Sequence, residues 1–158
     1  MAIADLTTAA AWIRAELLGV TAANGYPVTI KSSDGKIDDN REKQAPALLP
    51  KAWLFVQNGD GPRPVKGSTN RAVECPYLLD VQFDVTMPKQ GGANKFDRDE
   101  TCHLFVDSVK RRLRQSLAAA PTLPFTVAFA DSASIEYHYT KGPLTAVRIP
   151  LLVTVWDK

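Results

Sequence analysis

Long apolar runs are missing from these 158 residues. None approaches the roughly 18 apolar residues that a membrane-spanning helix needs. Cysteine is scarce: Cys75 and Cys102 lie far apart, in neither a C-x-x-C nor a Cys/His zinc spacing. One disulfide is arithmetically possible, but two isolated thiols in apolar surroundings read as reduced core residues. Histidine is limited to His103 and His138. No charge of one sign dominates. The 19 Lys and Arg stand against 17 Asp and Glu, a formal net charge of +2, too balanced for a nucleic-acid or membrane-surface binder recognised by bulk charge. The first residues, Met1-Ala2-Ile3-Ala4-Asp5, lack the basic and apolar segments of an export signal, which points to a reducing cytoplasm as the place of synthesis. The rest of the composition is that of a globular protein, 45% apolar and 23% charged. A chain of this length buries roughly 70% of its unfolded surface, enough for one core without staples. A single domain spanning 1–158 is expected.

The patterning predicts helix first. Leu6, Ala10, Ile13 and Leu17 recur at the helical period, with Asp5, Thr7 or Thr8 as cap and Gly19 as stop. Trp12 falls outside that stripe and either widens the buried face or meets a neighbouring molecule. Gly25-Tyr26-Pro27 then leads into a short extended piece, Val28-Thr29-Ile30. From residue 32 to 50 the chain turns polar and loses periodicity, with Asp34, Lys36, Asp38, Asp39, Arg41, Glu42 and Lys43 crowded together. So long an aperiodic stretch reads as a binding loop or as a solvated one. The apolar run Ala52-Trp53-Leu54-Phe55-Val56 reads as a central strand. A second loop lies at 59–72; its segment 61–70, with Arg63 and Lys66, holds together with Arg71 three positive charges and no acid.

The clearest strand follows. Leu79, Val81, Phe83, Val85 and Met87 alternate with Asp80, Gln82, Asp84 and Thr86, which predicts one buried face and one wet face. Pro88 ends it, and a glycine-rich connection containing Lys89 leads to the second helix. Asp97 and Glu100 form a capping box there, and Cys102, Phe105, Val106, Val109, Leu113 and Leu117 form the apolar stripe. Acids open this helix and Lys110, Arg111, Arg112 and Arg114 close it, complementing the macrodipole. Three alternating segments complete the chain, at 125–129, around 135–139 and at 147–155. Pro150 inside the last marks an edge register or a bulge. The expected fold is α+β: a twisted, largely antiparallel sheet of about five to six strands with two helices packed on it, in the order α-β-β-β-α-β-β-β.

Catalytic chemistry finds little support in these residues. Asp80 and Asp84 share one strand face and could hold a divalent metal, with Glu136 as a third acid. A metal nuclease would also want a lysine close by on an adjacent strand, and the Glu136-Tyr137-His138 segment offers none. The two aspartates read instead as an ordinary solvent face. Gly59-Asp60-Gly61 begins like a dinucleotide fingerprint but runs into Pro62 and Pro64 where a helix should start. Cys102 and His103 are adjacent on a helix and point about 100° apart. No catalytic residue, metal or cofactor is expected, and the chain is read as not an enzyme. A nucleic-acid-binding α+β module using Arg63, Lys66, Arg71 and the bases of the second helix is the other alternative. Against it, Trp53, Phe55 and Phe83 fall at strand positions that read as buried, whereas base stacking needs exposed rings.

The layout resembles the tail terminator, or tail completion, proteins of long-tailed bacteriophages. The resemblance rests on the N-terminal helix (6–18), Tyr26-Pro27-Val28 leading to a strand, the alternating strand 77–87, and the central helix 98–118. Tyr137-His138-Tyr139, a turn at Gly142 and the apolar final strand 146–156 complete it. It covers nearly the whole chain and contains no catalytic motif. It implies a structural virion protein that forms a six-membered ring, caps the tail tube, stops its polymerisation and presents a docking surface to the head connector. Neighbouring neck and head–tail joining proteins share the size and layout. The implied partners are further copies of the chain, the tail tube protein and a connector or neck protein, with no membrane and no specific nucleic-acid binding. The implied location is the virion tail or neck, after assembly in the host cytoplasm. Loops on a rigid sheet are where binding concentrates. Asp34, Asp38, Asp39, Arg41, Arg63, Lys66, Arg71 and Lys89 are therefore the expected subunit or tube contacts.

Overall fold

The computed structural model describes residues 2–35, 48–57, 61–67, 72–84, 98–129, 136–139 and 144–156. Two helices, α1 (Ala2–Leu17) and α2 (Arg98–Ala119), pack on one face of a seven-stranded mixed sheet. Its strands are β1 (Ser32–Asp34), β2 (Lys51–Val56), β3 (Arg63–Pro64), β4 (Ala72–Asp84), β5 (Phe125–Phe129), β6 (Glu136–Tyr139) and β7 (Leu144–Trp156). Apart from the two-residue β3, six strands stand in the order α-β-β-β-α-β-β-β, and the α+β class is as expected. Only β1 with β2 is parallel among the described pairings.

The spine is one antiparallel pair. β4 and β7, thirteen residues each, run in register from Ala72 opposite Trp156 to Asp84 opposite Leu144. No other strand is as long, so each outer side of this pair is shared by two short ones. β2 pairs with Tyr77–Gln82 of β4, and β3 with Val73 and Glu74. On the far side, β6 pairs with residues 145–148 of β7 and β5 with residues 151–155. Proline cannot donate to a ladder, and both prolines of the spine stand where the flanking strand changes. Pro76 lies between the registers of β3 and β2, and Pro150 between those of β6 and β5. That explains how Pro150 sits inside a long central strand without breaking it.

The core lies between the helices and the inward face of the sheet. Odd-numbered residues of both spine strands point inward as their alternation predicts: Leu79, Val81, Val147, Val153 and Val155 are fully buried, and Phe83, Ile149 and Leu151 nearly so. Against them pack Leu6, Ala10, Ile13 and Leu17 of α1, with Cys102, Phe105, Val106, Val109 and Leu113 of α2. Burial of each large aliphatic side chain contributes about 1.5–3 kcal/mol. Trp12 widens the α1 face rather than leaving it, its ring meeting Phe125 edge-on at 5.4 Å. Cys75 and Cys102 are both buried thiols with no disulfide between them.

Four local expectations need correction. Helix α1 already runs at Ala2, so Asp5, Thr7 and Thr8 lie within it instead of capping it, in keeping with its alanine-rich start. Gly19 has no left-handed backbone. A Cβ there would stand 2.3 Å from the Arg112 guanidinium, so a larger residue would have to displace the end of that side chain. Val28 and Ile30 are buried but not in a strand; Ile30 N–H donates to the Val20 carbonyl, and the strand begins at Ser32. Finally, the outward face of β4 is not wet: Asp80 and Gln82 are each 1% exposed. The capping box at Asp97, and Val85 and Met87, lie outside the described residues.

Candidate functional site

Three of the expected contact residues fall among those described. Asp34 closes β1, its side chain half exposed, with the Lys51 ammonium 3.9 Å away. Arg63 lies on β3 and is paired in its own chain, its Nε donating to the Glu74 carboxylate at 2.8 Å across the β3–β4 rungs. The 61–70 segment reads in sequence as wholly basic, and the strand pairing supplies its acid from outside. Lys66 is exposed in the turn after β3 and has no ion-pair partner among the described residues. Asp38, Asp39, Arg41, Arg71 and Lys89 lie outside the described residues.

The sheet fixes the spacing of these charges. Asp34 shares a rung with Trp53 and Asp80, while Arg63 shares one with Glu74. Six residues of β4 separate those rungs, about 20 Å at strand rise. The fold therefore holds an acidic and a basic position at two ends of one sheet flank and does not bring them together.

A polar cluster that alternation alone does not reveal occupies the outward face of the sheet. Asp80 and Arg148 are direct cross-strand partners. The Arg148 guanidinium grips both carboxylate oxygens, Nε to Oδ1 at 2.7 Å and Nη2 to Oδ2 at 2.9 Å. From the same rung as Asp80, the Trp53 indole N–H donates to Gln82 Oε1, two residues along β4, at 3.3 Å. Lys51 lies over the Trp53 ring at 4.1 Å, and Arg148 stands 5.7 Å from the Phe55 ring centre. In both contacts it is the charged group, the Lys51 ammonium and the Arg148 guanidinium, that faces the ring. Polar residues at even positions of β4 and β7, with Lys51 at an odd position of β2, were the available signal, and only register turns them into pairs.

The chemistry open to this arrangement is recognition and structural pairing. The guanidinium occupies one acceptor site on each Asp80 oxygen and balances its charge, which makes Asp80 a weak candidate for a metal ligand. Among the described residues no three His, Cys, Asp or Glu side chains converge as metal ligands. His103 is exposed on α2, and the side chain of His138 lies outside the described residues. Compared with protein-family models and with curated proteins, the chain returns no match.

Proposed function

We propose that this chain is a tail terminator of a long-tailed bacteriophage: a structural virion protein whose copies close into a ring of six on the finished tail tube. The ring ends tube polymerisation and offers a docking surface to a head connector or neck protein. The observation that carries the reading is the order of elements, α-β-β-β-α-β-β-β, with both helices on one face of the sheet and a long apolar final strand along its centre. The separated charges on one flank fit a ring, because copies meeting head to tail join two different patches. The engagement of Asp80 by Arg148 favours this reading over a metal-dependent nuclease. The protein acts through contact alone, without cofactor, membrane or specific nucleic-acid binding, in the virion and after assembly in the host cytoplasm. The test is deletion of the gene in its phage and microscopy of the lysate. Overlong tube polymers, or tails that never join heads, are the expected outcome. Tails of normal length on filled heads with intact infectivity would overturn the proposal.

A further inference from the structure

Helix α2 carries a second surface, away from the sheet flank. At 100° per residue, Lys110, Arg111 and Arg114 fall within about 100° of arc on its outward side and within about 6 Å of axis. Arg112, the fourth cation of the run, turns inward to Glu16 at 2.9 Å. The other three have no carboxylate partner among the described residues, yet they are not loose. Arg111 donates to the Gly25 carbonyl at 3.1 Å and lies 4.3 Å from the Tyr26 ring centre. Tyr26 is itself held by its hydroxyl donating to Gln115 at 3.2 Å. Lys110 and Arg114 stand 5.7 and 5.4 Å from the Phe129 ring. Beside Arg111 opens a cleft of about 100 Å³ lined by Pro27, Leu104, Asp107, Ser108 and Arg111.

We propose that this cleft and ledge dock a short acidic segment of a partner protein, one aliphatic side chain entering between Pro27 and Leu104 and carboxylates following along Arg111, Arg114 and Lys110. Three cations with no carboxylate partner among the described residues, beside an apolar slot, are complementary to such a segment, and rings and a carbonyl hold them in place beforehand, which lowers the ordering cost of binding. The footprint decides against nucleic acid. A duplex presents a charge every ~1.7 Å of axis, and its binders typically neutralise about 6–10 phosphates, far more than three cations in one helical turn. The rings at the ledge do not present an open face for base stacking either: Tyr26 is 5% exposed and Phe129 is partly buried, with Lys110 and Arg114 over it. Asp107 on the cleft wall sets polarity: carboxylates must run from the cleft towards Arg114, away from it. The inference does not depend on the tail-terminator reading.

The experiment is fluorescence anisotropy on the full chain, with a labelled peptide of one leucine followed by three glutamates as the probe. Binding is expected to weaken at least about ten-fold in Arg111→Glu and in Arg114→Glu, the loss that goes with one good charge-assisted pair. Binding should strengthen in Asp107→Asn and stay unchanged in Lys31→Glu, a charge reversal on an exposed lysine elsewhere. Glycine in place of the peptide's leucine should weaken it several-fold. The Arg114 side chain makes no hydrogen bond among the described residues, so its variant remains informative should Arg111→Glu disturb the Tyr26 turn. Absence of peptide binding, equal losses in Lys31→Glu, or tighter binding of a labelled oligothymidylate at the same residues would each overturn the proposal.

Discussion

Asp80 shows how one residue's role depends on what stands opposite. Its side chain is 1% exposed and the Arg148 side chain 21%, so removing the guanidinium would strand a buried charge, whereas removing both groups would not. Arg148→Ala is expected to lower the unfolding free energy by about 3–5 kcal/mol in denaturant titration, and the paired change Asp80→Leu with Arg148→Met to restore most of it. Equal losses in the single and paired variants would show that the ion pair is not the cause. Tyr77 makes a pH argument. Burial, with the neighbouring Cys75 adding to it and Arg14 opposing, raises its phenol above the ordinary value near 10. The folded state then keeps a proton that the unfolded chain loses, so the neutral phenol's stability is fully present below pH ~10 and is lost as pH rises through the folded value. Thermal unfolding between pH 9 and 11.5 should show that decline, and Tyr77→Phe should make it shallower. Parallel curves for the two proteins would contradict it.

The element that organises the rest is the β4–β7 pair. Its inward residues are the floor on which both helices rest, so truncations on either layer act on one core. Leu113 of α2 and Val81 of β4 are both fully buried. Leu113→Ala is expected to cost about 2–5 kcal/mol, and Val81→Ala somewhat less because fewer atoms are deleted. Calorimetry giving wild-type melting temperatures for both would mean that the helix and strand faces are misassigned. Much of this element level was legible in the residues. Period-two alternation on the strands and the 3.6-residue stripes on the helices are driven by burial against one layer, and they named nearly every inward side chain correctly. The outward face was not legible in the same way. Polarity at even positions reads as exposure unless a partner strand supplies Arg148 and Trp53 at the matching rungs.

At the scale of the whole molecule the net charge is only +2, and among the described residues the large exposed apolar side chains are Leu18, Leu48, Val56 and Trp156. Under the tail-terminator reading, copies close head to tail, and Lys66, exposed and unclaimed by any described acid, is a candidate register contact with the acids of the 32–50 loop. The purified protein is expected to sediment as a closed ring and to show ring particles in negative stain, with Lys66→Glu shifting the distribution towards single copies. A wild-type monomer at all concentrations, alone and with tube protein, would count against the ring. Rings unchanged by Lys66→Glu would move the contact away from the 59–72 loop.

Read alone, the order of amino acids determined the class of fold, the two helices, the inward residues of the spine and the absence of any recognisable catalytic motif. Each of these is carried by periodicity or spacing within one segment, where neighbours in the chain are also neighbours in space. Tertiary structure alone decided the rest. It set Asp80 against Arg148 across 68 positions of chain and supplied Glu74 to the segment that appeared purely basic. It placed Pro76 and Pro150 at the junctions between flanking strands. It also joined Tyr26 and Phe129 to the two sides of α2, turning a run of helix-end bases into an oriented ledge beside a cleft. Such contacts depend on register and crossing geometry, which arise only when separate segments share one core.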